Sequence, residues 1–477
     1  MFSLLKLKSP HFPSPTTLLT KFQLLSHSLC STTQNSPDFK QLYSIVSCDI
    51  GGLDDLEATL NLSKVTTTPS LVTQVLDSCK EQVPTRRLLR FFSWSKKTLS
   101  KLPDEVFNHA LRVFAEKKDA VALDILVEDF RKEDRVMETE TFSLVAEALV
   151  KLDREDAALG IFKNLEKFKC SIDTTAVISI VNALCAKGHA KKAEGVVWHH
   201  RSKISGVESC VYRNLLHGWC VYGNVKEARR VLKEMKSLDI ELDVFCYNTL
   251  LRCLCKRNLK FNPSALVPEA SNLMMEMRSY KIHPTAATFN ILLSCLGKVR
   301  RVKEAHRILY SMKRLGCSPD WVSYYLVVRV LYLSGRFGKG NKVVDEMLKE
   351  GLTPNPGFYH DLVGLLCGVE RIGHALELFE RMKTSKVGDY GPVYDLLITK
   401  LCKGGEFEKG RLLWDEAVER GIALQCSSDV LDPSVTVVFK PRKKAEEVSM
   451  TRTVKKTKKK KISIVRPSKK TNRKKNG

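Results

Sequence analysis

From residue 69 to residue 425 the chain alternates between two short amphipathic blocks, and the pair returns every 35 residues. Four of the first blocks show the pattern plainly. Val244 opens VFCYNTLLRCLCK, Ala286 opens AATFNILLSCLGK, Trp321 opens WVSYYLVVRVLYL and Gly391 opens GPVYDLLITKLCK. Each leads into a second block, such as EASNLMMEM, EAHRILYSMKRLGCSPD or KVVDEMLKEGLTPN. Apolar residues at helical spacing in both blocks predict a helix-turn-helix unit. A single helix pair cannot bury its apolar face alone, so such units stack on their neighbours. The expected fold is all-α, a right-handed α-solenoid of about ten 35-residue helix-turn-helix repeats.

The register runs with almost no gaps. Units occupy 104–138, 139–173, 174–208, 209–243, 244–285, 286–320, 321–355, 356–390 and 391–425, and only the one at Val244 is longer, through an insertion around RNLKFNPSALVP. The fourth position is aromatic in eight of these nine: Phe107, Phe142, Tyr212, Tyr247, Phe289, Tyr324, Tyr359 and Tyr394, with Val177 the exception. A weaker unit at 69–103 lacks the aromatic, as expected of a terminal repeat that caps a stack. Position 20 is small (Ala158, Ala193, Ala228, Ala270, Ala305, Gly340, Ala375, Gly410), which lets the second helix approach the first closely. Position 27 is Met235, Met277, Met312, Met347 or Met382, an adaptable filler between units. Gly316, Gly351 and Gly421 suit a helix C-terminus, and Pro284, Pro319 and Pro354 stop the helix before the next unit.

The pattern YNTLL…LCK…KEA…M…G..PD resembles the pentatricopeptide repeat over roughly residues 69–425. The tetratricopeptide repeat, the obvious rival, has a 34-residue period and Trp-Leu-Gly and Tyr at fixed offsets, which this chain does not follow. The resemblance is to the plain, P-type subclass. It implies that the first helices line a concave groove for single-stranded RNA, about one base per repeat. It also implies that two residues per unit recognise the base: the fifth, on the first helix, and the last, in the loop to the next unit. In that family Asn with Asp goes with uracil, Asn with Asn or Ser with pyrimidines, and Thr or Ser with Asp with guanine.

Carried over unit by unit, Asn290 with Asp320 matches the uracil pair and Ser143 with Asp173 resembles the guanine pair. Asn248 with Thr285 leans towards a pyrimidine, with an unfamiliar last residue that the insertion could displace. Asn108 with Glu138 keeps the Asn and lengthens the acid by one methylene, while Arg213 with Asp243 offers a phosphate or stacking contact. Ile178 with Glu208, Tyr325 with Asn355, His360 with Tyr390, Asp395 with Gln425 and Thr73 with Pro103 fit no pair. Two clean pairs imply modest sequence selectivity.

Charge sharpens this reading. The 477 residues carry 78 Lys+Arg against 53 Asp+Glu, net +25, which points to polyanionic partners. About half of that excess sits in the tail 426–477, with 17 basic and 4 acidic residues, so the repeats are only mildly basic. In the tail Lys455, Lys456, Lys458, Lys459, Lys460 and Lys461 form a block that repels itself and has little to bury. It is expected to be mostly disordered and to suit phosphate contacts weakened by salt. Residues 1–37 have no Asp or Glu and are rich in Ser and Thr, the character of an organelle transit peptide, here bounded at 1–40 with a linker or N-terminal cap over 41–68. The expected compartment is the mitochondrion, with the chloroplast as alternative.

Fifteen cysteines raise metal and disulfide readings, but Cys185, Cys220, Cys255, Cys367 and Cys402 all fall at position 12, a packing position. With no C-x-x-C, no H-x-E and no phosphate-binding glycine loop, neither metal nor cofactor nor catalysis is expected. No apolar run approaches the length of a membrane span. Two functions remain. One is a monomeric adaptor holding single-stranded organellar RNA. The other is a structural part of an organellar ribonucleoprotein, foremost the mitochondrial ribosome, contacting rRNA and protein.

Overall fold

The computed structural model describes residues 36–436 apart from 49, 50, 64, 100 and 101. The expected targeting segment up to residue 35 and the Lys455–Lys461 block lie outside the described residues. Among the described residues every regular element is helical. Two compact units divide the chain between Pro354 and Asn355. The first holds nine helix pairs: α1 (Pro37–Ser47) and α2 (Leu53–Leu62), α3 (Pro69–Cys79) and α4 (Thr85–Thr98), α5 (Asp104–Lys117) and α6 (Ala120–Lys132), α7 (Thr139–Lys151) and α8 (Glu155–Lys163), α9 (Thr174–Ala186) and α10 (Ala190–His199), α11 (Glu208–Tyr222) and α12 (Val225–Ser237), α13 (Val244–Phe261) and α14 (Leu266–Ser279), α15 (Ala286–Lys298) and α16 (Val302–Arg314), α17 (Trp321–Leu333) and α18 (Phe337–Lys349). The second holds α19 (Pro356–Gly368) with α20 (Ile372–Thr384) and α21 (Gly391–Lys403) with α22 (Phe407–Glu419).

Nine of the ten predicted units begin a helix at their first residue, and the unit at 209 begins one residue early, at Glu208. The residue before the helix explains this sharpness. Asp173, Asp243, Asp320 and Asn355 each accept a hydrogen bond from the backbone three residues on, capping α9, α13, α17 and α19. Many units turn twice through left-handed backbone, first between their helices (Lys118, Asp153, Gly188, Gly223, Arg300, Gly335) and again after the second helix (Asp134, Lys169, Asp239, Lys281, Gly316, Gly351). Glycine adopts that conformation without penalty, and Lys or Asp tolerates it at some cost.

Within the first unit each first helix from α3 to α15 packs on the next first helix, and each from α3 to α17 on its own partner. Second helices mostly approach one another only through long side chains. Arg230 of α12 pairs with Glu194 of α10 at 2.6 Å, Lys236 with Glu276 of α14 at 2.9 Å, and Lys313 of α16 with Glu350 beyond α18. The closely packed first helices thus form one continuous layer. The core lies between the layers: Phe107, Phe142, Tyr247, Phe289 and Tyr324 at position four are buried, as are Met235, Met277, Met312 and Met347. The small residue at position 20 is required by position 12. Tyr332 stands where other units have Cys, and a Cβ on Gly340 would overlap its ring.

Residues 41–68, expected as a linker or cap, contain most of α1 and all of α2, which pack on α3 and α4 as another repeat would. Helix α1 begins at Pro37, inside the segment assigned to targeting. Arg87, buried on α4, donates to the carbonyls of Ile45, Val46 and Gly51 and so satisfies the C-terminus of α1. The insertion lengthens α13 to Phe261 and adds a 3₁₀ turn at Pro263–Ala265, making more helix than loop. Within the second unit, the first residues of the expected tail form a 3₁₀ turn, Ser428–Leu431, against α21 and α22.

Candidate nucleic-acid interface

The fifth residue of each unit sits one turn into the first helix, next to position four, and in several units it meets the loop that enters the next unit. Asn290 is half-buried on α15. Its Nδ2 donates to both carboxylate oxygens of Asp320 at 3.0 and 3.3 Å, and its Oδ1 accepts from the Ser323 hydroxyl at 2.7 Å. Asp320 meanwhile caps α17 through the Ser323 N–H at 2.8 Å. The carboxylate therefore does two things: it starts one helix and orients the amide of the preceding one. An amide held this way presents a fixed donor–acceptor edge, which is what base-edge recognition needs.

Arg213 repeats the arrangement with charge, lying 3.4 Å from Asp243, which caps α13. Its Nε is buried without a hydrogen-bond partner. Asn248 does not meet Thr285 in this way. Thr285 forms a capping box with Thr288 at the start of α15, and Asn248 Oδ1 is left without a partner. Ser143 is also diverted, its hydroxyl lying 2.7 Å from Ser179 of the next first helix, while Asp173 caps α9.

The resemblance implied that Asn108 reads a base, and the structure turns it away from that role. Asn108 is 1% exposed. Its Nδ2 donates to the carbonyls of Asp104 and Val136, and its Oδ1 accepts from Glu138 N, all at 2.9 Å. Lengthening Asp to Glu at the last position removes the short carboxylate that engages Asn290, and the amide closes onto backbone instead. Glu138 pairs with Arg112 at 3.0 Å. Among the unmatched units, His360 lies 2.9 Å from the Asp389 carbonyl, and Asp395 accepts from the N–H groups of Gln425 and Cys426 at 3.0 Å each. In these two units the fifth side chain clasps the following loop although no family pair exists.

Sequence reasoning missed the next turn of the same face. Four residues beyond position five, and so on the same side of the helix, come Arg112, Asn182, His217, Arg252, Ser294 and Arg329. Burial, then the nearby Lys256 charge, holds His217 below the usual imidazole range, so it is neutral at pH 7. Phe245, 58% exposed, lies three residues before Asn248 and offers a ring beside that amide. The signal was the i, i+4 spacing applied to polar residues.

Among the described residues no group of three or more His, Cys, Asp or Glu could hold a metal ion, and no helix is long and apolar enough to cross a membrane. The Cys220 thiol on α11 faces that of Cys253 on α13, and this neighbour, then burial, raises the Cys220 pKa. Cys255 on α13 meets Cys295 on α15 likewise. These contacts lie in the packed seam between first helices.

Known proteins share this repeat pattern. The PPR repeat family pattern matches residues 207–256 and 284–332, and the single PPR repeat pattern matches 393–422. A mitochondrial pentatricopeptide repeat-containing protein of Arabidopsis thaliana is 54% identical over 438 residues, 91% of this chain and 90% of that protein. Small ribosomal subunit protein mL104 (rPPR9) of Arabidopsis thaliana is 29% identical over 92% of this chain and 85% of its own length. Among solved structures, the pentatricopeptide repeat protein PPR10 with an 18-nt psaJ RNA element aligns with a TM-score of 0.45 and 17% identity, over 83% of this chain and 65% of that one. The chain thus spans less than two thirds of PPR10.

Proposed function

The chain belongs to the pentatricopeptide repeat family, and from that premise we propose that it is a mitochondrial RNA-binding adaptor whose first-helix layer holds a single-stranded transcript segment. The 54% identical relative, itself named as mitochondrial, supports the compartment. The observation that carries the reading is the Asn290–Asp320 pair, an amide fixed by the acid that also caps the next helix. A base edge at Asn290 meets a donor and an acceptor whose orientation is already set, so little ordering entropy is lost on contact. Each such contact contributes about 1–3 kcal/mol of discrimination. With one fully built pair and the Ser143–Asp173 approximation to a second, the array discriminates at few positions, and phosphate contacts supply most of the affinity. This reading assigns the chain no catalytic step: its role is to keep RNA unstructured, shield it from nucleases or recruit processing and translation factors.

A second reading follows from the relative named as small ribosomal subunit protein mL104. In it the chain is a structural component of the mitochondrial ribosome, its stack a scaffold on folded rRNA and protein. The few readable pairs favour this more than a long sequence-specific footprint would. Sedimentation of mitochondrial extract separates the two. Stoichiometric migration with a ribosomal subunit, resistant to brief ribonuclease, supports the ribosomal role, whereas migration with ribonuclease-sensitive messenger-sized particles supports the adaptor.

A further inference from the structure

Position 12 of the first helix carries Cys255 on α13 and Tyr332 on α17, but on α15 it is Gly297, and nothing lies within 4 Å of where its Cβ would be. A recess of about 240 Å³ opens there between α15 and α17, lined by Ser294, Gly297, Lys298, Arg300 and Arg329 among others. A second recess of about 380 Å³ adjoins it at the turns of the two units, lined by Arg300, Arg301, Lys303, Ser334 and Arg336 around the start of α16. Arg300 belongs to both.

Three features mark this edge. Lys298, Arg300, Lys303 and Arg336 converge on the two recesses and enter no ion pair among the described residues. The single acid in the second recess, Glu304, is paired with Arg301 at 2.6 Å. Ser334 Oγ is buried there without a hydrogen-bond partner. The insertion also has a use: Arg301 Nη1 donates to the Pro263 carbonyl at 2.7 Å, so the added turn after α13 braces the basic edge. Lys260 and Phe261, the latter 72% exposed, extend it.

We propose that these paired recesses bind phosphate groups of an RNA backbone crossing the turn edge of the stack, outside the base-reading positions. The proposal rests on the RNA-binding reading and adds to it a dedicated anchor. At about 240 and 380 Å³ the recesses lie at or below the lower end of ligand-pocket volumes, ample for a phosphate group. Lys298, Arg300, Lys303 and Arg336 are in no ion pair, so a phosphate meeting them displaces no acidic partner. Ser294 lies one turn beyond Asn290 on the same helix face, which connects the anchor to the reading position.

The test measures binding of the full chain to a labelled 20-nucleotide RNA of mixed sequence by fluorescence anisotropy, from low to moderate salt. Two variants are compared with it: Arg300→Gln with Lys303→Gln and Arg336→Gln, whose helical content is checked by circular dichroism, and Gly297→Leu, which fills the first recess without removing charge. The triple variant is expected to lose at least tenfold affinity for every RNA sequence. Its salt dependence should become shallower by about 0.7 in the log–log slope for each phosphate that the variant no longer neutralises. Gly297→Leu should weaken binding in the same sequence-independent way. RNA binding that survives both changes with its salt slope intact overturns the proposal and leaves the RNA reading standing. Loss of poly-glutamate binding in the triple variant with RNA binding untouched makes the edge a protein-docking site and also overturns it. An unmodified chain that binds no RNA removes the reading and the proposal together.

Discussion

Asn108 and Asn290 occupy the same place in their repeats and do opposite things, and the last residue of each unit decides which. Asp320 is short enough to hold the Asn290 amide side-on, whereas Glu138 is not, and Asn108 folds onto the Val136 carbonyl and Glu138 N–H. Asn108→Ala should cost about 2–3 kcal/mol, because it strands buried backbone groups, and leave RNA preference unchanged. Urea melts alongside RNA anisotropy check both halves, and a change in base preference without loss of stability would contradict the assignment. The cysteines carry a second prediction. Burial pushes the Cys185 and Cys246 thiols up to about 12 and Cys367 to about 11, from an ordinary 9.0. A raised acid pKa means the folded state holds its proton longer. The stability is complete below pH ~9 and is lost as pH climbs towards 12. Thiol labelling at pH 8 should modify exposed Cys48 and Cys210 quickly and these three only on unfolding. Rapid modification of Cys185 would contradict it. At this scale the sequence is ambiguous for a physical reason: Asp or Asn before a helix is favoured as an N-cap whatever else it does. Asp173 therefore looks like half of a recognition pair, although Ser143 bonds elsewhere.

At the scale of helices nearly everything was legible, because the same few packing constraints recur in each unit and errors in register would flip every one. The aromatic at position four and the small residue at position 20 located the helices and their close approach. Where one member of a pair changes, its partner changes too. Tyr332 needs Gly340. Gly340→Ala should destabilise by about 1–3 kcal/mol through overpacking, and Tyr332→Cys in the same chain should relieve most of that loss. Additive losses in chemical denaturation would show that the two side chains do not touch. Two features were not legible. Helices α1 and α2 lie where no repeat motif can be recognised, their association resting on Arg87 and on Trp94 Nε1 donating to Asn61 at 2.8 Å. The sequence shows the insertion at 257–268 only as added length, whereas Asn258, buried and bonded to Glu269 at 3.0 Å, carries α13 on to Phe261.

For the molecule as a whole, the repeat period led to the family and the charge balance to a polyanionic partner, but neither says how the array holds RNA. In the proposed reading that depends on polar side chains one turn beyond the recognised position and on Lys298, Arg300, Lys303 and Arg336, which no motif marks. The central claim is that the first-helix layer reads bases, one residue per unit, at the few units built for it. Selection from a randomised RNA pool by the full chain and by its Asn290→Ser variant tests this most directly, since Ser with Asp is the family's guanine pair. The account predicts an enriched motif in both pools that differs at a single position, uracil for the unmodified chain and guanine for the variant. Identical motifs, or no enrichment in either pool, would contradict it.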